Sequence, residues 1–107
     1  MKLSAEQRDA AVAALPGWIY DEEGGGGGGA INRSFRFRDF SQAFAFMTQV
    51  ALAAEKADHH PDWSNSWNRV DISLTTHSEG GVSRRDIDLA IGIDSIAASL
   101  ALPETAH

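Results

Sequence analysis

Two adjacent histidines are the residues of this 107-residue chain that are best suited to chemistry. His59 and His60 stand side by side, and His77 follows about one strand-length later. Histidine can donate or accept a proton near neutral pH. A group of imidazoles could protonate a leaving hydroxyl and remove a proton elsewhere on a small substrate. These two proton transfers would make a dehydratase, and they require no cofactor.

Two other interpretations of the histidines compete with acid–base catalysis. Together with a carboxylate they offer ligand types that zinc accepts, although adjacent histidines seldom aim at one ion and no HExxH motif is present. They could also be ordinary polar residues at a helix end. Asp86 has two interpretations as well, because a carboxylate can orient an imidazole and because an acid three residues after Ser83 caps a helix.

Composition restricts the class of partner. The net charge of −6 argues against nucleic acid or an anionic membrane as the main partner. The chain has no cysteine, which excludes disulfides, thiolate catalysis and cysteine-based metal sites. No apolar signal segment is visible, and no apolar run approaches the roughly 20 residues that span a bilayer. We therefore expect a cytoplasmic single domain, residues 1–107, that acts on a small molecule.

Three helices are predicted from apolar residues at helical spacing. The first two cover residues 4–15 and 39–58, and the third begins at Ser83. Each start carries a serine or aspartate that can cap the helix. Because Pro61 disfavours helical geometry at His60, both adjacent histidines should lie where the second helix ends, able to point into a cleft.

Four strands are predicted at residues 18–21, 30–37, 63–67 and 68–77, where β-prone or alternating residues occur. The last strand should place His77 on the face opposite its core residues, near the strand's end. The order of helix, two strands, helix, two strands and helix indicates an α+β fold. We expect an antiparallel sheet with the helices on one face.

Four further features carry expectations. The six glycines at residues 24–29 should form a flexible hairpin connection, since their spacing does not match a phosphate-binding loop. The tail at residues 103–107, which includes His107, should be disordered. Trp63 and Trp67 could stack on a flat heterocycle or pack in the core. The last helix carries two apolar stripes, which favours self-association unless the helix lies in a groove.

Several long motifs resemble the pterin-4a-carbinolamine dehydratase family. They are EKADHHPDW at residues 55–63, NRVDISLTTH at 68–77 and GVSRRDIDLA at 81–90, with a matching aromatic helix start at 37–47. The similarity extends over about residues 15–100, and the motifs stand in the family's order. One departure is the glycine run, which replaces a short charged turn that the family often places near the mouth of the active site.

The resemblance implies an αββαββα fold with a four-stranded antiparallel sheet. It also implies dehydration of 4a-hydroxytetrahydrobiopterin to quinonoid dihydropterin, which regenerates the cofactor of aromatic amino-acid hydroxylases. The family uses no metal, and its members form homodimers or homotetramers. By the same match, the catalytic residues would be His59, His60, His77 and Asp86. The substrate-binding residues would be His59, His60, Pro61, Thr76, His77, Ser78 and Glu79. A non-catalytic binding or dimerisation module on the same fold is the alternative.

Overall fold

Three helices and four strands make up the structure, a computed structural model that describes residues 1–101. Helices α1, α2 and α3 cover Ala5–Ala13, Phe40–Ala57 and Arg84–Ala101. The predicted capping box begins α1, because the Ser4 hydroxyl accepts from the Gln7 N–H and the Gln7 side chain accepts from the Ser4 N–H. The predicted tail at residues 103–107, with His107, lies outside the described residues.

The strands form one antiparallel sheet, which confirms the predicted α+β class. Strands β1, β2, β3 and β4 cover Ile19–Asp21, Ala30–Arg36, Asp62–Ser66 and Arg69–Leu74. They lie in the order β1-β2-β4-β3, and β1 pairs with β2 across the glycine run as predicted. The two central strands are thus β2 and β4, and β4 leads directly into the loop that carries His77.

The core lies between the helices and one face of the sheet. Alternation along β4 buries Val70, Ile72 and Leu74, which is the period expected of a half-buried strand. Phe46 of α2 stacks obliquely against Phe35 of β2, with ring centroids 4.9 Å apart. This contact packs α2 against the sheet, and the predicted site residues lie where α2 and β4 end.

Both apolar stripes of α3 are largely covered within the protein. The buried members are Ile87, Leu89, Ala90 and Ile93, and the partly buried ones are Ile96, Ala97 and Leu100. The helix therefore lies in a groove, with Ile91 as its large exposed apolar side chain, and self-association through α3 stays a prediction. Three more large apolar side chains are exposed on α2: Phe40, Phe44 and Leu52. Within the described part of the chain, no helix is long and apolar enough to cross a membrane.

Candidate active site

A buried hydrogen-bonded pair, His59 and Asp86, forms the centre of the site. The His59 Nε2 atom lies 2.5 Å from Asp86 Oδ1, and the two residues are only 7% and 0% exposed. A buried carboxylate is costly unless donors surround it. The other oxygen, Oδ2, accepts from the Thr76 hydroxyl at 2.8 Å and from the Ser83 backbone N–H at 2.9 Å. A carboxylate in its ionised form only accepts, so it pairs with the His59 tautomer that carries its proton on Nε2.

Asp86 fills both of the roles that its position in the sequence suggested. Its bond from the Ser83 N–H is the helix-capping interaction, made at the start of α3. Its bond to His59 orients an imidazole. The Thr76 hydroxyl donates to Asp86, so the Ser83 hydroxyl, 2.7 Å away, donates to Thr76. One carboxylate thus ties together the end of α2, the loop after β4 and the start of α3.

The end of α2 decides where the two adjacent histidines point. Asp58 caps the helix in the left-handed conformation with φ of 51°, and the His59 N–H donates to the Ala54 carbonyl. Across the site, Arg85 Nη2 donates to the Asp58 carbonyl at 2.5 Å. The chain therefore reverses at Asp58, which directs His59 inward toward α3 and leaves His60 at the surface.

His60 has a different environment from its neighbour. Its side chain is 53% exposed, and its Nε2 atom lies 2.6 Å from Glu55 Oε1. Glu55 belongs to the same sequence motif, but it is not among the site residues predicted from the sequence. An acid on the last turn of a helix, just before a histidine at the helix exit, is the signal that could have identified it. An exposed imidazole beside a carboxylate is well placed to exchange protons with a bound molecule.

His77 does not lie on a strand, so that prediction was wrong. Strand β4 ends at Leu74, and His77 begins a short 3-10 helix, His77–Glu79. The alternating pattern stops because Thr75 and Thr76 are both buried and both use their hydroxyls in hydrogen bonds. The His77 side chain is exposed, and within residues 1–101 its ring makes no hydrogen bond.

The remaining predicted binding residues lie on the same two segments, one after α2 and one after β4. Pro61 is partly buried, while Ser78 and Glu79 are exposed. The Glu79 carboxylate lies 2.8 Å from the amino group of Met1. Hydrogen bonds to Asp86 join the two segments, and they bring His59 and Thr76 into one network. No hydrogen bond connects His60 or His77 to that network in the described part of the chain.

A cleft of about 350 Å³ runs beside His59, between α2 and α3. Small residues on the two helices, Ala53, Ala57 and Gly92, leave this space open, and Arg85 and Asp88 add charge to its wall. His59 is buried, but it forms part of the wall of this cleft.

In the part of the chain that the structure describes, the histidines and carboxylates do not cluster as metal ligands would. Among residues 1–101, no group of three or more of these residues is arranged to hold a metal ion. Trp63 is partly buried against the core, whereas Trp67 is 64% exposed at the turn between β3 and β4. The two tryptophans therefore do not share one environment, and the core interpretation holds for Trp63 alone.

Comparison with known proteins identifies the family. The model of the family described as pterin 4 alpha carbinolamine dehydratase matches residues 1–96. A Rhizorhabdus wittichii protein, provisionally named pterin-4-alpha-carbinolamine dehydratase, is 60% identical over 95 residues, covering 89% of this chain and 94% of its own. A Bradyrhizobium protein with the same provisional name is 53% identical, covering 94% of this chain and 97% of its own. The chain belongs to the pterin-4a-carbinolamine dehydratase family.

Two solved structures share the fold. A Brucella melitensis protein described as a transcriptional coactivator/pterin dehydratase superposes with a TM-score of 0.84 at 48% identity, covering 91% of this chain and 99% of that one. A pterin dehydratase-like protein described as a RuBisCO assembly factor in the alpha-carboxysome superposes with a TM-score of 0.63. This second protein is 21% identical, with coverage of 75% of this chain and 88% of its own, and it supports the fold alone.

Proposed function

We propose that this protein is a hydro-lyase that dehydrates 4a-hydroxytetrahydrobiopterin to quinonoid dihydropterin and water. Membership of the family supplies the substrate class. The observation that supports histidine catalysis is the buried His59–Asp86 pair, in which a carboxylate with no exposed surface holds one imidazole in a single orientation. A histidine that served only as a polar helix end would not need such a partner.

The reaction needs two proton transfers. When the C–O bond of the carbinolamine breaks, the leaving hydroxyl takes a proton and departs as water. A proton removed elsewhere on the pterin leaves the electron pair that forms the new double bond. Because these transfers balance, the reaction consumes no oxidant, reductant or second substrate. General acids and bases in such positions typically contribute about 10²–10⁴-fold to a rate.

We assign His59, His60 and His77 to these proton transfers, with Asp86 as the supporting carboxylate. With the His59 Nε2–H group donating a hydrogen bond to Asp86, the Nδ1 atom of the ring can accept a proton. His60 and His77 are exposed and can reach a molecule bound at the surface. His60 can also pass a proton to or from Glu55. Pro61, Thr76, Ser78 and Glu79 would then border the pterin, on the two segments that carry the histidines.

We infer that the protein recycles tetrahydrobiopterin for aromatic amino-acid hydroxylases in the cytoplasm, as a homodimer or homotetramer without a cofactor. Supporting observations are the net charge of −6, which disfavours nucleic acid as a partner, and the exposed apolar face of α2.

The direct test supplies 4a-hydroxytetrahydropterin and follows the loss of its ultraviolet absorbance. We expect turnover by the parent protein, a large loss of rate in His60→Ala, and no loss after treatment with a chelator. A His60→Ala rate equal to the parent's would contradict the assigned mechanism. Loss of activity with the chelator, together with metal in elemental analysis, would favour a metal enzyme instead.

A non-catalytic binding module is the second candidate. The observation that favours it is the exposed pair Phe40 and Phe44 on α2, whose rings lie 5.9 Å apart on a surface that could receive another protein. The related Brucella structure is described as a coactivator as well as a dehydratase. This candidate predicts weak pterin binding and no turnover by the intact protein.

A further inference from the structure

The glycine run between β1 and β2 packs directly against the loop that carries His77. Gly28 and Gly80 approach so closely that a Cβ added to Gly28 would lie 2.4 Å from the Gly80 carbonyl oxygen. In the reverse direction, a Cβ on Gly81 would lie 2.6 Å from the Gly28 carbonyl oxygen. Only glycine at these positions allows the two backbones to meet.

Two further contacts join the same pair of segments. The Thr75 hydroxyl donates to the Gly29 carbonyl at 2.8 Å, in a buried position. A Cβ on Gly25 would lie 2.8 Å from the Thr75 hydroxyl oxygen, so Gly25 also packs closely against this side chain. Thr75 precedes Thr76, whose hydroxyl donates to Asp86. The segment between β4 and α3 is therefore contacted by the glycine run near both ends, at Thr75 and at Gly80.

We propose that Gly28 is a positioning residue, which acts through Gly80 to set the location of His77. The loop from Thr76 to Gly81 is short and closed on itself, because the N–H and carbonyl groups of these two residues pair with each other. Within it, the Gly80 N–H donates to the His77 carbonyl at 3.0 Å. Displacement of Gly80 is thus transmitted to His77. This inference rests on the proposed function, in which His77 transfers a proton.

The conformation of Gly28 makes the proposal easy to test. Gly28 has φ of −89° and ψ of −7°, which any residue can adopt, so alanine there causes no backbone strain. Its effect must come from the contact with Gly80. Restoring an allowed separation requires the two segments to move apart by about 0.6–1.0 Å. A displacement of about 1 Å in a catalytic group can lower a rate by about 100-fold.

The control is Gly27→Ala in the same run. A Cβ on Gly27 meets nothing within 4 Å, although its φ of 105° disfavours alanine. This variant perturbs the run itself but does not press on Gly80. A second pair of variants tests the other contact: Thr75→Val removes the hydrogen bond to Gly29, and Thr75→Ser keeps it.

The experiment measures dehydratase kinetics and the NMR signals of the Gly80 amide and the His77 ring. We expect Gly28→Ala to lower kcat by about 10- to 100-fold with a smaller change in KM, and to shift both signals. Gly27→Ala should retain most of kcat. Thr75→Val should follow Gly28→Ala, and Thr75→Ser should follow the parent. If Gly28→Ala does not fold, the Thr75 pair decides the question.

Parent-like kcat and unshifted Gly80 and His77 signals in Gly28→Ala would overturn the inference, as would equal kcat values in Thr75→Val and Thr75→Ser. Failure of the proposed function is distinguishable from this. If the parent itself does not turn over the pterin, the kinetic prediction is lost, whereas the NMR signals still report whether Gly28 positions the His77 loop.

Discussion

Asp86→Asn alters the buried network while preserving its shape. The carboxylate of Asp86 accepts from His59, Thr76 and Ser83. An amide has one oxygen that accepts and one nitrogen that donates. If the oxygen keeps its bonds from Thr76 and Ser83, the nitrogen faces His59 Nε2. Two donors would then meet, unless the His59 proton moves to Nδ1.

The size of the effect follows from the chemistry of the lost bond. A hydrogen bond to a charged group contributes about 1.5–3 kcal/mol to stability. In a domain of about this size, each 1 kcal/mol shifts Tm by about 4–8 °C. We therefore expect the free energy of unfolding to fall by about 1.5–3 kcal/mol and Tm by roughly 6–24 °C. Urea unfolding and thermal melting, both followed by circular dichroism, measure these quantities.

The same substitution should also lower activity by about 100-fold or more, because general acid–base catalysis depends on which ring nitrogen carries the proton. The ¹⁵N chemical shifts of the His59 ring report that tautomer directly. Asp88→Asn is the matched control for stability, since Asp88 lies two residues along α3 with a side chain 63% exposed and paired with Arg84. It should change stability by less than about 0.5 kcal/mol. If Asp86→Asn matches Asp88→Asn in Tm, and matches the parent in kcat/KM and in His59 tautomer, the network does not act as described.

Three further predictions concern single side chains. His60→Ala should reduce dehydratase turnover but lower the free energy of unfolding, measured in urea, by less than about 1 kcal/mol, because the pairing of His60 with Glu55 is exposed. A large loss of stability would contradict this. Phe44→Glu should shift the protein to smaller species in sedimentation analysis, since Phe44 is 57% exposed on α2. Ile91→Glu on α3 should cause no such shift, and the opposite pattern would place the contact surface on α3. Gly92→Ala should raise the free energy of unfolding by about 0.5–1 kcal/mol, because Gly92 lies inside α3 and an added Cβ meets nothing within 4 Å. An unchanged urea midpoint would contradict this, because it would mean that the added methyl group loses as much stability as the helix gains.

Asp86 illustrates how far sequence reasoning reached within the site. Its spacing from Ser83 predicted a cap, and the cap is present. The second bond of the same carboxylate joins it to His59, 27 residues earlier in the chain. The residue-level pattern alone left these two roles as alternatives, whereas the structure shows that one side chain has both contacts.

His77 illustrates where the sequence pattern misled. Alternating residues predicted a strand up to His77, but the pattern could not show that Thr75 donates to Gly29, which lies 46 residues away. Two consecutive buried threonines end the alternation, and His77 moves onto a 3-10 turn. The two apolar stripes of α3 fit either an oligomer interface or a groove, and packing within the protein covers most of both stripes.

The sequence by itself determined the order of the elements, the antiparallel α+β class and the caps of the helices. These follow from neighbours two to four residues apart, whose periodicity and capping chemistry are local. Only the tertiary structure decided that His59 points inward and His60 outward. It also decided that Asp86 joins His59 to Thr76, and that Gly28 packs against the loop that carries His77. Such contacts join residues far apart in the chain, and they depend on how the packed helices and sheet bring those segments together.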